Sequence, residues 1–371
     1  MTTGDSISTR GVAARDLERL TGRLEDIFHR MSGSELLITG GAGFLGYYLV
    51  QAPLAWNRTH PAEAPIRVTV HDIFPRGVPD WLAELNDPSL RLVERDVLAP
   101  LPTDERPFDF IIHAASIASP TFYRAHPIET MDANVLGLRL LLDHAAGRAE
   151  SADPLQGLLF FSTSEIYGDP DAANIPTPET YRGLVSSTGP RACYDESKRY
   201  GETLCVNFAG QFGVPVTMAR PFNNYGPGLR IDDGRVLPDF ARDILAERDI
   251  VLLSDGSASR TFCYVADAVD GYYRILLDGR PGEPYNIGTD RPEISMRSLA
   301  ERFAAVGQRV TGYSGQVVSG TSDDPDYLVD NPNRRCPVID KARNELGYAP
   351  EVDLDDGLER ALRWYVEQRE G

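Results

Sequence analysis

The stretch Leu36-Leu-Ile-Thr39-Gly40-Gly-Ala-Gly43-Phe44-Leu45-Gly46 decides how the chain begins to fold. An apolar strand runs into a glycine-rich turn, and an apolar helix follows. Gly40 permits a tight turn, Gly43 lets the backbone approach a pyrophosphate, and Gly46 allows close helix–strand packing. The free N–H groups of the new helix would bind the phosphates. The stretch therefore predicts a dinucleotide site that also includes Phe44 and Leu45.

Outward from this turn, strands and helices alternate. Helical patterns at 128–146 and 195–212 separate apolar runs that are typical of buried parallel strands, at 35–39, 66–71, 90–93, 108–115, 157–163 and 214–219. This order predicts an α/β fold, a Rossmann-type doubly wound parallel sheet, over residues 34–220 plus segments near 260–290. Short helices near 236–248, 295–306 and 355–368 indicate a smaller, mostly C-terminal substrate-binding lobe, formed by 221–259 and 291–371.

Two segments stand apart from this alternation. Residues 12–31 carry apolar side chains at helical spacing, which predicts an amphipathic helix in an N-terminal extension, 1–33. The pattern leaves open whether this helix packs on its own domain or on a second subunit. Residues 53–65 contain three prolines and are predicted to be an insertion in the loop before the second strand.

Composition narrows the class of protein. The 371 residues carry a net charge of −18, which disfavours nucleic acid or an anionic membrane as a partner. No apolar run approaches the roughly 18 residues of a membrane span. The four cysteines are scattered, so neither a disulfide framework nor a metal site is predicted. We expect a reduced, cytoplasmic protein.

Two acidic residues follow predicted strands on the cofactor side. Asp72 ends the second strand, where a carboxylate accepts hydrogen bonds from the ribose hydroxyls and repels a 2′-phosphate. This favours NAD over NADP. Asp96 follows the third strand and is either an adenine-side contact or a capping residue.

Tyr194 and Lys198 form a Tyr-x-x-x-Lys pair in a chain with only two lysines among its 37 basic residues. At helical spacing the phenol and the ammonium lie one turn apart on one face. A tyrosine beside a cation can lose its proton near neutral pH and act as a general base toward an alcohol. The pair alone is also compatible with an ordinary surface helix.

The fifth predicted strand runs into Phe161-Ser-Thr163-Ser164-Glu165-Ile-Tyr167-Gly168. Thr163 could hydrogen-bond the substrate oxygen that Tyr194 deprotonates, and Glu165 would share its face if strand geometry continues. Alternatively, Thr163 caps a turn and Glu165 is a solvated acid. The order of glycine-rich turn, threonine and Tyr-x-x-x-Lys favours the catalytic interpretation.

These motifs resemble those of the extended short-chain dehydrogenase/reductases that act on nucleotide sugars, and most of all the UDP-glucuronic acid decarboxylases, or UDP-xylose synthases. The resemblance covers roughly residues 35–365. It rests on five stretches: His113-Ala-Ala-Ser-Ile-Ala-Ser-Pro120, Ser162-Thr-Ser-Glu-Ile-Tyr-Gly-Asp-Pro170, Gly189-Pro-Arg-Ala-Cys-Tyr-Asp-Glu-Ser-Lys-Arg199, Phe222-Asn-Asn-Tyr-Gly-Pro227 and Asp233-Gly-Arg-Val236.

The resemblance implies an NAD-dependent decarboxylation of UDP-glucuronic acid. In such enzymes NAD⁺ takes hydride from C4 of the sugar while the tyrosine, here Tyr194, takes the hydroxyl proton. The 4-ketone lies β to the C6 carboxylate, so carbon dioxide can leave. Protonation at C5 and return of hydride give UDP-xylose, unless a UDP-4-keto-pentose is released first.

The resemblance also assigns site residues. Thr163 polarises O4, Glu165 assists at the sugar ring, and Arg335 holds the substrate carboxylate. Further cofactor contacts are implied for Val97, Ala114, Ser116 and Asn134. Further substrate contacts are implied for Ser119, Arg191, Asn223, Arg230, Arg235, Val236, Arg260 and Tyr264. Gly228 stands where the family usually has an arginine, and Arg230 is the candidate to replace it.

Several functions compete with this interpretation. A nucleotide-sugar 4,6-dehydratase needs an acid where this chain has Ser164, and simple 4-epimerases usually lack the glutamate. A UDP-glucuronate 4-epimerase is the closest rival, and a non-enzymatic NAD-binding sensor is a different class. The resemblance further suggests a homodimer.

Overall fold

The computed structural model describes residues 11–102, 107–322 and 329–370. Within these ranges the strands are β1 (Glu35–Thr39), β2 (Arg67–Asp72), β3 (Leu90–Glu94), β4 (Phe110–His113), β5 (Gly157–Phe161), β6 (Val216–Pro221), β7 (Asn224–Tyr225), β8 (Ile250–Leu252), β9 (Ser259–Arg260), β10 (Cys263–Tyr264), β11 (Pro284–Ile287), β12 (Ile294–Ser295), β13 (Val317–Ser319) and β14 (Arg334–Arg335). Seven of them form one parallel sheet in the order β11-β6-β5-β4-β1-β2-β3. The predicted doubly wound fold is confirmed.

The helices pack on both faces of this sheet and form most of the second lobe. They are α1 (Gly11–Arg23), α2 (Glu25–Met31), α3 (Gly46–Thr59), α4 (Asp80–Ala83), α5 (Pro120–Ala125), α6 (Pro127–Asp132), α7 (Leu138–Gly147), α8 (Ala192–Phe212), α9 (Val236–Leu245), α10 (Val265–Asp278), α11 (Met296–Thr311), α12 (Asp340–Leu346) and α13 (Leu354–Glu370). A π-helical turn, Ala133–Gly137, joins α6 to α7, and 3₁₀ turns lie at Ser164–Tyr167 and Ala172–Asn174. No described helix is long and apolar enough to cross a membrane.

The strand order places the site. β1 pairs with β2 on one side and β4 on the other, so Thr39 lies opposite both His71 and His113. The chain leaves these neighbours in opposite directions, which opens a crevice at the carboxyl ends of β1 and β4. The glycine-rich turn after Thr39 lies at this crevice.

All six predicted strands are present, but the seventh strand was not predicted as a strand. β11 begins with Pro284 and contains Asn286, so it is not a continuous apolar run. It lies at the edge of the sheet beside β6, where a proline at the first strand position is tolerated. Its position falls within the segments near 260–290 that were assigned to the Rossmann domain. The division into domains stays a prediction.

The predicted insertion at 53–65 is wrong in its first half. α3 continues through Pro53 to Thr59. A proline inside a helix removes the hydrogen bond to the carbonyl four residues earlier. Here the Leu49 carbonyl accepts a hydrogen bond from the hydroxyl of Tyr273 on α10 instead. Tertiary packing therefore satisfies the group that the proline leaves free.

Over its described residues, 11–33, the N-terminal extension contains two helices rather than one, and they pack on their own chain; its residues 1–10 lie outside the described ranges. Asp16 on α1 is fully buried and accepts hydrogen bonds from Tyr48 on α3 at 2.6 Å, from Tyr264, and from Arg360 on α13 at 2.9 Å. A buried carboxylate needs such partners because its desolvation is costly. The extension is thus an integral part of the core.

Candidate active site

A cleft of about 1840 Å³ lies between the carboxyl edge of the sheet and the second lobe. The structure brings most of the predicted site residues to it. They are Gly40, Gly43, Phe44, Leu45, Gly46, Asp72, Asp96, Val97, Ala114, Ser116, Ser119, Thr163, Glu165, Arg191, Tyr194, Lys198, Asn223, Arg230, Arg235, Val236, Arg260 and Arg335.

Two predicted residues lie elsewhere. Tyr264 is 1% exposed and turns inward to Asp16, because it packs against the N-terminal extension, which the family resemblance did not include. Asn134 is fully buried in the π-helical turn, and its Nδ2 donates to Ser197 Oγ at 2.9 Å. Ser197 in turn bonds the Tyr194 carbonyl. Asn134 therefore holds the helix that carries Tyr194 and does not line the cleft.

The glycine-rich turn forms the cofactor end of the cleft. Gly40 has a φ of +71°, and a Cβ on it would come within 2.6 Å of the Ala115 backbone. A Cβ on Gly46 would lie 2.0 Å from the Gly41 carbonyl oxygen. Both positions therefore require glycine. The resulting cradle of backbone N–H groups at the start of α3 fits a pyrophosphate.

Asp72 is fixed at the end of β2 by the backbone. One carboxylate oxygen accepts from the Ala42 N–H at 3.1 Å and the other from the Phe74 N–H at 2.9 Å. Each oxygen keeps a lone pair that can face the cleft. Asp96 accepts from the Leu98 N–H at 2.9 Å in the turn after β3, and it also lines the cleft.

Tyr194 and Lys198 lie on the first turns of α8 with their side chains buried. Lys198 Nζ donates to the Phe161 carbonyl at 2.8 Å and lies 5.8 Å from the centre of the Tyr194 ring. Tyr123 stacks on that ring with centroids 5.0 Å apart and planes within 6°. Tyr123 was not predicted, because α5 brings it to the site from a different part of the chain.

In the protein alone, burial acts on the Tyr194 phenol against the lowering of its pKa that the Tyr-x-x-x-Lys pair predicts. Burial raises the pKa of Tyr194 to about 12, with Glu165 and Asp195 acting in the same direction, while a hydrogen bond with Thr163 lowers it. Burial also lowers the pKa of Lys198 to about 7. Desolvation is thus the largest cause of both shifts.

Glu165 lies in a 3₁₀ turn after β5, so the predicted continuation of strand geometry is wrong. Thr163 both caps this turn, accepting from the Glu165 N–H at 3.2 Å, and lines the cleft. Arg335, on β14 of the second lobe, donates two hydrogen bonds to the two Glu165 oxygens, each at 2.5 Å. Arg191 contacts the same carboxylate at 2.5 Å.

The charges around Glu165 shift the pKa values of two acidic residues in opposite directions. Burial alone would raise the pKa of Glu165, but Arg191 and Arg335 outweigh it and lower that pKa to about 2. Burial, reinforced by Glu165, raises the pKa of Asp195 to about 8. Asp195 lies in the Tyr-Asp-Glu part of the motif, yet no role was predicted for it. The two carboxyl groups are therefore shifted in opposite directions, Glu165 toward its ionised form and Asp195 toward its protonated form.

The arginines of the second lobe carry local partners. Arg235 is paired with Asp233, and Arg230 makes two bonds of 2.8 Å to Asp232. Arg260 donates to the Ser259 carbonyl on its own strand and to the carbonyls of Pro332 and Asn333, just before β14. Asn223, with a φ of +41°, donates to the Thr261 carbonyl at 2.9 Å. Ser119 donates to the Asp233 carbonyl at 3.0 Å, which joins the sheet edge to this lobe.

Comparison with known proteins shows the family to which the chain belongs. Residues 36–288 match the family described as the NAD dependent epimerase/dehydratase family. The chain is 37% identical to UDP-glucuronic acid decarboxylase 5 of Arabidopsis thaliana, over 88% of each protein. It is 35% identical to UDP-glucuronic acid decarboxylase 1 of Xenopus tropicalis, over 90% of this chain and 73% of that one. A dTDP-glucose 4,6-dehydratase from Streptomyces venezuelae, solved with NAD bound, superposes with a TM-score of 0.74 at 28% identity, over 91% of this chain and 98% of that one.

Proposed function

Because the chain belongs to the NAD dependent epimerase/dehydratase family, we propose that it is a UDP-glucuronic acid decarboxylase that produces UDP-xylose. The observation that carries the proposal is the guanidinium fork of Arg335, which enters the cleft from the second lobe and already binds a carboxylate, that of Glu165. The near full-length similarity to UDP-glucuronic acid decarboxylases supports it.

The cofactor would be held by the glycine-rich turn at Gly40–Gly46 and by Asp72. NAD, when bound, supplies the hydride acceptor and donor for C4 of the sugar. Asp72 offers lone pairs to the ribose hydroxyls and opposes a 2′-phosphate. The buried Nζ atom of Lys198 lies 5.8 Å from the centre of the Tyr194 ring. From there it can donate a hydrogen bond to a ribose hydroxyl and so orient the cofactor.

Tyr194 is proposed to remove the proton of the sugar O4 hydroxyl. Its raised pKa means that a positive charge or hydrogen-bond donors must act at the phenol when the substrate is bound. Thr163 supplies one such donor. The stacked Tyr123 ring fixes the plane of the phenol, so that its oxygen points to one place in the cleft.

The substrate carboxylate is proposed to exchange with Glu165 on the fork of Arg335. The two groups are chemically alike, and Arg191 keeps Glu165 paired after the exchange. Glu165 Oε1, released by Arg335 while Arg191 holds Oε2, can then orient water at C5, where the enolate takes up a proton. The raised pKa of Asp195, which lies in the same charged group, favours its protonated form and makes it a candidate source of that proton.

The test is incubation of the purified protein with UDP-glucuronic acid and NAD⁺, with products identified by mass and NMR. Loss of carbon dioxide with formation of UDP-xylose supports the proposal, and NMR distinguishes it from a released UDP-4-keto-pentose. Conversion to UDP-galacturonic acid at unchanged mass would instead identify a UDP-glucuronate 4-epimerase. Cofactor binding without any product would identify an NAD-binding sensor.

We propose a homodimer because the outer surface of the helices that cover the sheet carries exposed apolar side chains. On α6, the π-helical turn and α8, large apolar side chains are exposed: Ile128 by 59%, Leu136 by 51%, Tyr200 by 52% and Val206 by 49%. Such a patch on adjacent helices is typical of a subunit interface. Light scattering after size exclusion tests this, and a mass of one chain at micromolar concentration would refute it.

A cytoplasmic location is likewise a proposal. It is supported by the cysteines, all four of which lie in the described ranges and are free thiols. Reduced cysteines are typical of a reducing compartment. Fractionation of the producing cells, with activity found outside the cytoplasmic fraction, would contradict it.

A further inference from the structure

Two histidines and a glutamate meet where the N-terminal extension joins the Rossmann domain. Glu25 is the first residue of α2, His29 lies one turn later, and His60 directly follows Thr59, the last residue of α3. Glu25 Oε1 lies 3.0 Å from His29 Nε2 and 2.9 Å from His60 Nε2. The side chains are partly exposed, at 43%, 44% and 26%. None of the three lines the cleft.

The surroundings of His60 suit a metal ligand. His60 Nδ1 lies 3.1 Å from the Trp56 carbonyl oxygen and 3.0 Å from Thr59 Oγ1. When Nδ1 carries the ring hydrogen and donates it to that carbonyl, Nε2 presents its lone pair toward Glu25 Oε1, and a cation between the two atoms can be bound by both.

The geometry favours a metal ion. A tetrahedral zinc site with ligand bonds of about 2.0–2.1 Å separates its ligand atoms by roughly 3.3 Å. The three ligand atoms here lie within 4.8 Å of one another, so a small opening of the cluster admits the ion. A metal-bound histidine typically donates its other ring N–H to a carbonyl, and His60 Nδ1 lies 3.1 Å from the Trp56 carbonyl oxygen, where it can do so.

The rings are held before any ion arrives. His60 stacks on the buried Trp56 with centroids 4.6 Å apart, and His29 meets the edge of the same indole. Glu63 Oε1 lies 3.9 Å from His29 Nδ1 and adds a second negative charge. One carboxylate and two imidazoles form a donor set suited to a divalent transition metal, with Glu63 at the other ring nitrogen of His29.

We propose that Glu25, His29 and His60 bind one divalent ion of the zinc class, which fastens α2 to the end of α3. The ion has a structural role, because the site lies outside the cleft. The sequence predicted no metal site, since the cysteines form no motif and His60 lies 31 residues after His29.

The test uses tag-free full-length protein, stripped with chelator and titrated with Zn²⁺ and with Co²⁺. We expect one equivalent bound, a cobalt spectrum without a thiolate charge-transfer band, and melting raised by about 3 °C at a hundredfold excess over Kd. His29→Ala and His60→Ala should each weaken binding at least about tenfold. His126→Ala, which removes an exposed histidine elsewhere, should leave it unchanged.

Three outcomes would overturn the proposal. Absence of stoichiometric binding, with a melting temperature that depends on pH and not on metal, would show a proton-bridged cluster. A thiolate charge-transfer band would place the ion on cysteines. Equal binding by His29→Ala, His60→Ala and the parent would place it elsewhere on the surface.

Discussion

Arg335→Lys tests whether the fork, rather than the charge, handles the substrate. Lysine keeps the positive charge but cannot make two parallel hydrogen bonds to one carboxylate. The Arg335 side chain is only 9% exposed and makes two such bonds to Glu165, so water does not replace a lost one. A hydrogen bond to a charged group contributes about 2 kcal/mol, which corresponds to roughly a 30-fold change in rate.

The neighbouring residue provides a matched control. Arg334 lies on the same short strand and also forms a fork, at 2.8 and 2.7 Å from Glu293, but it is 44% exposed and does not line the cleft. We expect Arg335→Lys to lower kcat/KM for UDP-glucuronic acid about 30-fold with NAD affinity unchanged. Arg334→Lys should change kcat/KM less than about twofold.

Product formation by chromatography and NAD binding by calorimetry, on the same preparations, give the comparison. Melting curves of both variants establish that folding is intact. If Arg335→Lys decarboxylates as fast as Arg334→Lys, the fork is not the carboxylate partner. If NAD affinity falls in parallel with activity, the change acts on the domain and not on the substrate.

Three further changes address other residues. Tyr194→Phe should retain NAD binding but lower turnover at least about 100-fold, because only the ionisable oxygen is lost; near-normal turnover would remove its assigned role. The parent should bind NAD at least about tenfold tighter than NADP, and Asp72→Ala should narrow that ratio; equal affinities in the parent would contradict the function of Asp72. Asp195→Asn tests the raised pKa of Asp195. In the unfolded chain this carboxyl group loses its proton near pH 3.8, whereas in the folded protein it keeps the proton up to about pH 8. The stability of the parent relative to this variant should therefore fall as pH rises through that window, and urea unfolding at pH 5 and pH 8 that shows a constant difference would refute it.

Local spacing made the cofactor side predictable. Gly46 is required by its contact with Gly41 in the same turn and Gly40 by its own φ of +71°, and Tyr194 and Lys198 share a helix face by their separation alone. These constraints act over a few residues, so the sequence carries them directly.

Contacts between distant elements were not predictable in this way. Tyr264 matches a family position, but its hydroxyl is used by Asp16, which lies 248 residues away. Tyr123 stacks on Tyr194 from another helix. Strand β11 contains Asn286 and therefore is not a continuous apolar run. The pKa of Tyr194 also depends on how deeply the ring is buried, which spacing does not reveal.

The carboxylate of Asp16 has a practical consequence for anyone seeking a minimal catalytic fragment. A fragment that began just before the glycine-rich turn, with residues 1–33 removed, would lack Asp16. The hydroxyls of Tyr48 and Tyr264 would then lose their acceptor, and Arg360 would lose its buried partner. The cut would also expose to solvent the apolar side chains of α3 and α10 against which Leu17, Leu20 and Leu24 pack. Fragment boundaries and chimeras with shorter homologues should therefore carry α1 and α2 along with the nucleotide-binding half.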